Sequence, residues 1–415
     1  MNDVGFNDAR VRWLAIASRI ATHLTDSAIW HEDRCTWIGA MPEEGPGGVP
    51  ILTYRAFGPD LYGGTAGVGL FLAELAPWVD DERLRLTARA ALRHALAHSR
   101  AARDRLGIGL YSGTVGVAYA LARSSGALNE PKLLEDAHEV ADSIALADTA
   151  DGLVECDLMS GLAGTLIGLL QLARLLDRSE HTALAVRCAE EILKHAQVRE
   201  AGLCWPSATI AGAPALLGFS HGASGIACAL LEATRVTGDA RYKDAAAGAF
   251  AYERQLYDAR MRNWPDLRNS HPSQRSFAIY WCHGAPGIAL ARIRAQELGA
   301  DEELRVEAET ALNTTAEFIL AGIASGQFNY SLCHGLCGNA EVLREGENFL
   351  QADNKGLAST VADQGARAFS SNIEAWPCGV QGGSTPGLFL GLAGIGHFYL
   401  RLARPEIPSV LLLRS

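Results

Sequence analysis

A short pattern of small and apolar residues recurs seven times along the 415-residue chain. Each copy is a G-x-x-G turn followed at once by an apolar stretch long enough for a helix. Successive copies begin 48 to 62 residues apart, which is the length of two helices and their loops. The first glycines of the seven turns are Gly64, Gly113, Gly161, Gly222, Gly284, Gly335 and Gly391.

Amphipathic stretches with helical periodicity lie between the turns, for example residues 81–98, 131–146, 181–196 and 241–257. The stretches after the turns are apolar on nearly all sides, as expected of helices that are buried all round. We therefore predict an all-α fold in which seven inner and seven outer helices form seven helical hairpins. A closed ring, the α/α toroid, is favoured over an open solenoid because neither end of the chain carries a polar capping repeat.

Composition and charge narrow the class of protein. The chain is 48% hydrophobic and can bury a large core, while its net charge of −11 argues against binding to nucleic acid or to an anionic membrane. The first thirty residues lack the continuous hydrophobic segment of a secretory signal, and no apolar stretch reaches the roughly 18 residues of a membrane span. We expect a cytoplasmic protein whose nine cysteines are reduced.

Aligning the seven turns on their first glycine separates unusual residues from a background of small ones. The residue before that glycine is His221, His283 and His334 in the fourth, fifth and sixth turns, but glycine, serine or leucine elsewhere. Cys282 and Cys333 precede two of these histidines. Equivalent positions of neighbouring repeats lie at equal depth, so these side chains should meet at the mouth where the inner helices begin.

Two thiolates and a histidine form a ligand set that suits tetrahedral Zn²⁺, and three protein ligands leave the fourth position for a substrate. The spacing alone does not say whether His283 or His334 is the third ligand. The alternative interpretation is that the cysteines are small buried hydrophobic residues. That interpretation is preferred for Cys337, whose equivalents in the other turns are alanine, valine, serine or proline, and for the six cysteines without a paired histidine.

Two further residues near the turns are candidates for proton transfer. His221 heads the fourth inner helix without a cysteine beside it, and Asp157 lies just before the third turn. Each also has a purely structural interpretation, a hydrogen-bonded histidine for His221 and a helix-capping or solvated carboxylate for Asp157. The helix N-termini gathered at this end favour anions such as a thiolate or an enolate.

Several of these stretches resemble the lanthionine synthetase C-like cyclases, in particular the cyclase portion of class II lanthipeptide synthetases. They are WCHGAPGI (281–288), SLCHGLCGN (331–339), GFSHGASGIA (218–227) and NWPDLR (263–268). The resemblance extends over essentially the whole chain, residues 1–415, as a single domain, and it implies an α/α toroid.

The resemblance also implies roles for the residues singled out above. Cys282, Cys333 and His334 would bind one Zn²⁺, and His283 would line the site. His221 and Asp157 would act as the acid and base.

The reaction implied by the resemblance is the addition of a cysteine thiol to a dehydroalanine or dehydrobutyrine in the same ribosomal precursor peptide, which forms lanthionine or methyllanthionine rings. Full class II synthetases carry a large dehydratase before the cyclase, so we expect either a separate dehydratase or a longer parent chain. Two alternatives stay open. One is addition of glutathione or another small thiol to dehydroamino acids in proteins, and the other is a non-catalytic toroid that binds a peptide or partner enzyme.

Overall fold

The computed structural model describes residues 3–44, 50–101, 106–146, 154–208, 214–268, 275–299, 302–326, 328–380 and 383–414. Seven inner helices follow the G-x-x-G turns within these residues: α2 (Thr65–Leu75), α4 (Thr114–Leu128), α6 (Leu162–Leu175), α8 (Ala223–Thr237), α10 (Ala285–Glu297), α12 (Leu336–Glu345) and α14 (Leu392–Ala403). The outer helices are α1 (Asp3–Asp26), α3 (Glu82–Ala101), α5 (Pro131–Asp142), α7 (Ser179–Lys194), α9 (Ala240–Gln255), α11 (Glu302–Ser325) and α13 (Leu357–Phe369).

The inner helices form a closed ring. Each packs against the inner helix of the next repeat, and α14 packs against α2. The first six inner helices each pair with the outer helix that follows in the chain, whereas α14 pairs with α1 from the opposite end of the chain. The predicted α/α toroid is confirmed, and the N-terminal helix supplies its seventh outer helix.

The described part of the chain also contains three antiparallel pairs of short strands. β1 (Ile29–His31) pairs with β2 (Arg34–Thr36), β3 (Ile38–Glu44) with β4 (Pro50–Ala56), and β5 (Gln197–Arg199) with β6 (Gly202–Cys204). β2 packs on α3 and β6 packs on α9. None of the helices in the described ranges combines the length and the apolar character that crossing a bilayer would need.

The second glycine of each G-x-x-G turn is a packing requirement. A Cβ atom on Gly116 would lie 1.9 Å from the carbonyl oxygen of Leu110, and one on Gly338 would lie 1.8 Å from that of Leu332. The other five turns show the same contact at 2.2 Å or less. Any side chain at this position would push the inner helix away from the turn that leads into it, because no Cβ can approach a carbonyl so closely.

Backbone hydrogen bonds link the seven turns into a belt around the mouth of the ring, which we call the mouth belt. Its members are the residues two places before each first glycine: Tyr62, Tyr111, Met159, Ser220, Cys282, Cys333 and Phe389. At six of the seven junctions the amide of one member donates to the carbonyl of the next, with N···O distances of 2.9 to 3.3 Å. The junction from Cys282 to Cys333, both described residues, lacks this bond.

The fifth turn, which lies at the open junction, departs from the others in its backbone. Its first glycine, Gly284, has φ of 87°, whereas the first glycines of the other six turns have φ between −134° and −100°. A positive φ is strained for any residue with a side chain, so this turn requires glycine. The turn with the altered backbone is thus the one whose belt bond is missing.

The C-terminal segment 407–413 packs against aromatic rings that come from three of the turns. The rings of Tyr111, Trp281 and Phe389, from the second, fifth and seventh turns, pack together with centroids 4.9 to 5.4 Å apart. The hydroxyl of Tyr111 donates to the carbonyl of Val410 at 2.9 Å, and Nε1 of Trp281 donates to that of Leu411 at 3.1 Å. The C-terminal segment is therefore part of the core beneath the mouth belt.

We expect Leu411→Ala to lower the free energy of unfolding by about 3 kcal/mol, because this leucine is buried and its removal leaves a cavity. Urea denaturation measures the change. Leu86→Ala on the exposed side of α3 is the control and should change stability by less than about 0.5 kcal/mol. An effect at position 411 as small as that of the control would contradict the central packing of the C-terminal segment.

Candidate active site

The two cysteines of the mouth belt meet side chain to side chain at its open junction. The thiol of Cys333 donates a hydrogen bond to the sulfur of Cys282. This bond lowers the pKa of the Cys282 thiol, with further help from the positive charge of Arg268 and against the effect of burial. The same bond, together with burial, raises the pKa of Cys333 well above its usual value.

Arg268 places a guanidinium near both sulfurs. Asp266 holds it in place, accepting hydrogen bonds from Nε at 3.1 Å and from Nη2 at 2.7 Å. The charge of Arg268 acts to lower the pKa of Cys282, Cys333 and His334, so it favours anions at this part of the mouth. Nothing in the repeat pattern pointed to this residue, and its only signal in the sequence was the NWPDLR stretch that carries it.

The ring of His334 is fixed by one hydrogen bond. Its Nε2 donates to the carbonyl oxygen of Gly379 at 2.7 Å, since a carbonyl can only accept. Burial lowers the pKa of His334, so the ring is neutral and its Nδ1 carries the lone pair. That is the state in which a histidine binds a metal, and such a bond from the other nitrogen commonly orients the ligand.

The structure brings two of the three predicted metal ligands into contact. Cys282 and Cys333 touch, and His334 follows Cys333 directly in the chain. Across the described ranges, no group of three or more His, Cys, Asp and Glu side chains is gathered closely enough to hold a metal ion. The donor types nevertheless fit Zn²⁺, which favours sulfur and neutral imidazole nitrogen. The zinc site stays a prediction.

The other seven cysteines lie in the interior of the protein. All nine cysteines are free and buried, so no disulfide is present. Burial raises the pKa of the Cys337 thiol well above its usual value. Cys337 lies in α12 and is fully buried in the hydrophobic core of the protein, as its alignment with small residues predicts.

His221 and Asp157 form a hydrogen-bonded pair on neighbouring turns. Nδ1 of His221 lies 2.6 Å from Oδ2 of Asp157. A carboxylate accepts, so Nδ1 carries a proton and Nε2 of the neutral ring has the lone pair. The other carboxylate oxygen, Oδ1, accepts from the amides of Ser160 and Gly161, both at 2.8 Å. Asp157 therefore caps its own turn and orients a partly exposed histidine at the same time.

His283 lies between this pair and the cysteines. Its ring stacks on that of His221 with centroids 5.8 Å apart, and it follows Cys282 in the chain. Burial lowers the pKa of His283 to about 3, so the ring is neutral, and its Nε2 has no hydrogen-bond partner in the described part of the structure. Ser220 donates from its amide and its hydroxyl to the carbonyl of Cys282, at 3.3 and 3.2 Å. The His221–Asp157 pair and the Cys282–Cys333 pair therefore lie on neighbouring turns.

A buried glutamate from an outer helix holds the fourth turn, which carries His221. Glu253 of α9 accepts hydrogen bonds at Oε1 from the amides of Gly218 and Ser224, at 2.9 and 3.1 Å. Its charge is paired with Arg292, whose Nη1 lies 2.6 Å from Oε2. The side chain of Glu253 therefore binds the backbone at both ends of the fourth turn.

An asparagine plays the corresponding part in the fifth turn. Oδ1 of Asn263 accepts from the amide of Ala285 at 2.9 Å, and its Nδ2 donates to the carbonyl of Ala278 at 2.9 Å. These bonds bracket Gly284, the residue with the positive φ. Asn263 therefore stabilises the turn that sets the position of Cys282 and His283.

Residues 56–412 match the model of the lanthionine synthetase C-like protein family. The chain belongs to this family. The match includes all of the candidate site residues named above. The family resemblance of the sequence motifs is confirmed.

Known relatives agree with this membership. The lacticin 481/lactococcin biosynthesis protein LcnDR2 of Lactococcus lactis subsp. lactis is 26% identical over 201 residues, which cover 45% of this chain but 20% of that protein. The matched part is thus a fifth of the length of this curated relative. The solved structure of a nisin cyclase superposes with a TM-score of 0.58 at 17% identity, covering 83% of this chain and 89% of that one. At this identity the likeness shows the fold.

We expect Asn263→Ala to lower the free energy of unfolding by roughly 2–4 kcal/mol, because it leaves buried backbone groups of the fifth turn without partners. Chemical denaturation provides the measurement. Asn372→Ala is the matched control, since Asn372 is exposed and makes no capping bond, and should change stability by less than about 0.5 kcal/mol. Equal effects of the two substitutions would contradict the role given to Asn263.

Proposed function

We propose that this chain is a zinc-dependent peptide cyclase. Its reaction adds a cysteine thiol of a ribosomal precursor peptide to a dehydroalanine or dehydrobutyrine of the same peptide, which forms a lanthionine or methyllanthionine ring. The observation that carries the proposal is the meeting of a thiol pair and a histidine–carboxylate pair on neighbouring turns of one mouth. Family membership supports the same reaction. A dehydratase, separate or fused, would supply the dehydrated peptide.

Cys282, Cys333 and His334 are the residues that would hold one Zn²⁺. Two touching sulfurs and a neutral imidazole with an available Nδ1 supply a fitting donor set. When bound there, Zn²⁺ keeps a substrate thiol deprotonated at neutral pH. Arg268 adds positive charge beside the sulfurs, and this charge favours first an anionic sulfur and then an anionic enolate.

His221 is the group that accepts and returns a proton. Its Nδ1 is bound to Asp157, whose two oxygens are both occupied, so Nε2 is the available nitrogen of the pair. As the substrate sulfur attacks, a carbon–sulfur bond forms and the electrons of the carbon–carbon double bond move into the enolate. Nε2 takes the thiol proton and returns it to the enolate carbon, while the Asp157 carboxylate stabilises the intervening imidazolium.

The mouth also lowers the barrier to closing a peptide ring. The thiol and the dehydroamino acid belong to one flexible chain, and bringing them together costs conformational entropy. Binding both groups on adjacent turns reduces this cost in the transition state. His283 lies beside both groups, because its ring stacks on that of His221 and it follows Cys282 in the chain.

We expect the purified protein to hold about one Zn²⁺ per chain and to lose it in Cys333→Ala, which removes one of the two thiolates. Elemental analysis after dialysis measures the content. Cys337→Ala is the matched control, because this buried cysteine lies on the same turn and packs into the core. Zinc retained by the Cys333 variant would contradict the ligand set, and a wild type unable to take up zinc would favour a non-catalytic toroid.

We expect Asp157→Asn to slow ring formation by about 10²–10⁴-fold, because an amide facing Nδ1 would donate to it and leave the proton on Nε2. The assay incubates a dehydrated precursor peptide with the protein and counts remaining thiols by alkylation and mass spectrometry, since cyclisation leaves the mass unchanged.

Asp258→Asn is the control for this experiment. Asp258 also accepts hydrogen bonds from two backbone amides, those of Arg260 and Met261, and no histidine is among its partners in the described residues, so its variant should cyclise at the wild-type rate. His221→Asn should be as slow as Asp157→Asn. Wild-type rates in both would refute the proton-transfer role, whereas adducts of added glutathione in place of rings would favour the small-thiol reaction.

A further inference from the structure

The β3–β4 hairpin lies beside the mouth, at the place where the seventh turn meets the first. β4 ends at Ala56, and the chain runs from there directly into the first turn. β3 is bonded to the segment that enters the seventh turn, because the amide of Ala40 donates to the carbonyl of Ser384 at 3.2 Å. These two turns are neighbours in the mouth belt, where the amide of Phe389 donates to the carbonyl of Tyr62. Both strands of the hairpin are therefore connected to the mouth belt.

The outer edge of β4 is an open strand edge. Ala40 lies directly opposite Tyr54 in the register, and its amide points away from β4, towards Ser384. Opposite residues of an antiparallel pair either bond to each other or both point outwards, so the amide and carbonyl of Tyr54 point away from β3. The two kinds of pair alternate along the strands, and the same therefore holds for Leu52 and Ala56. None of these three residues has a backbone partner on this edge in the part of the chain that the structure describes.

Two large apolar side chains lie beside this edge. The exposed fractions are 38% for Leu52 and 60% for Tyr54, and both residues lie on the same face of the hairpin as the buried Ala40. Gly383 lies over this face, since a Cβ atom there would be 2.5 Å from that of Ala40 and 3.2 Å from Cδ2 of Leu52. The face is therefore covered at β3 and largely uncovered at β4, on the side of the open edge.

The sequence of β4 does little to protect this edge. Natural proteins usually place lysine, proline or a bulge on an open edge, because such an edge pairs with other chains. β4 contains no lysine, its one proline is the first residue, Pro50, and its one charged residue, Arg55, lies on the opposite face from Leu52 and Tyr54. An extended peptide can add to an edge of this kind as a further strand, with affinity from backbone hydrogen bonds and selectivity from side-chain contacts.

We propose that the outer edge of β4 binds an extended segment of the precursor peptide as an additional strand. The proposal rests on the proposed cyclase function and identifies where its substrate docks. The candidate residues for the reaction lie on the third to sixth turns, whereas the hairpin lies at the seventh and first. A peptide paired with β4 presents the rest of its length to the mouth, while the docked segment stays clear of the reacting groups. This continuity with the mouth favours the substrate over a second copy of the chain as the partner.

Docking on β4 acts on substrate binding and not on the chemical step. A docked segment raises the effective concentration of the remaining peptide at the mouth. The bonds to β4 are the same before and during the reaction, so their loss should raise KM and leave kcat unchanged. A short peptide that contains the thiol and the dehydroamino acid but lacks the docked segment should react equally well with and without the open edge.

The test uses two substitutions on the edge and one matched control. Tyr54→Pro removes an outward amide and leaves the bonds between β3 and β4 in place, and Leu52→Lys puts on the edge the residue that most often blocks pairing. Val198→Lys makes the same kind of change at an exposed apolar position of β5, whose partner strand packs on the outer helix α9. With the dehydrated precursor peptide of the cyclisation assay, we expect KM to rise about 10-fold in both edge variants and to stay at the wild-type value in Val198→Lys.

Amide hydrogen exchange gives a second measurement that does not depend on ring formation. Exchange in segment 50–56 of the wild type should slow when the peptide is added, and the edge variants should keep the wild-type kcat with the short peptide. An unchanged KM in both edge variants, or exchange that the peptide does not slow, would overturn the docking site and leave the cyclase proposal intact. Exchange that slows with rising protein concentration alone would assign the edge to a second copy of the chain. Protection by the peptide without any ring formation would support the docking site and contradict the cyclase proposal.

Discussion

The mouth belt is the constraint on which the rest of the structure depends. A buried backbone amide needs an acceptor, and each turn meets that need with the carbonyl of its neighbour. These bonds set the depth and orientation of the turns relative to one another, so that side chains at and beside the belt converge on one mouth. Sulfur atoms make the contact at the junction of Cys282 and Cys333. An ion shared by these two cysteines would link the fifth and sixth turns where the backbone does not.

The divergence of the fifth turn connects the fold to the chemistry. The turn with φ of 87° at Gly284 makes no belt bond to the next turn, and Asn263 supplies hydrogen bonds that stabilise the altered backbone. A regular backbone bond between the fifth and sixth turns would hold the two cysteines by their backbones. At the altered turn the side chains meet in place of the backbones. One belt bond is missing there, and Asn263, which lies outside the repeat pattern, stabilises the turn.

Repetition made much of this structure predictable from the sequence. Seven glycine turns identified the inner helices, and the exceptions within that series identified Cys282, Cys333 and the three histidines. The pairing of α1 with α14 was not visible, because it joins opposite ends of the chain and appears only when the ring closes. Arg268 comes from a loop outside the repeats, so no internal alignment could mark it.

A comparison of two carboxylates shows why the unit of function is a pair of turns and not a single turn. Asp60 and Asp157 each lie four residues before a first glycine, and each caps its own turn by accepting backbone amides through Oδ1. The first turn faces the second, which offers Ser112, whereas the third faces the fourth, which offers His221. The same kind of capping carboxylate therefore contacts a serine-bearing turn in one place and binds a histidine, the one proposed for proton transfer, in the other. The cysteines follow the same rule, because each side chain interacts with the cysteine of the neighbouring turn.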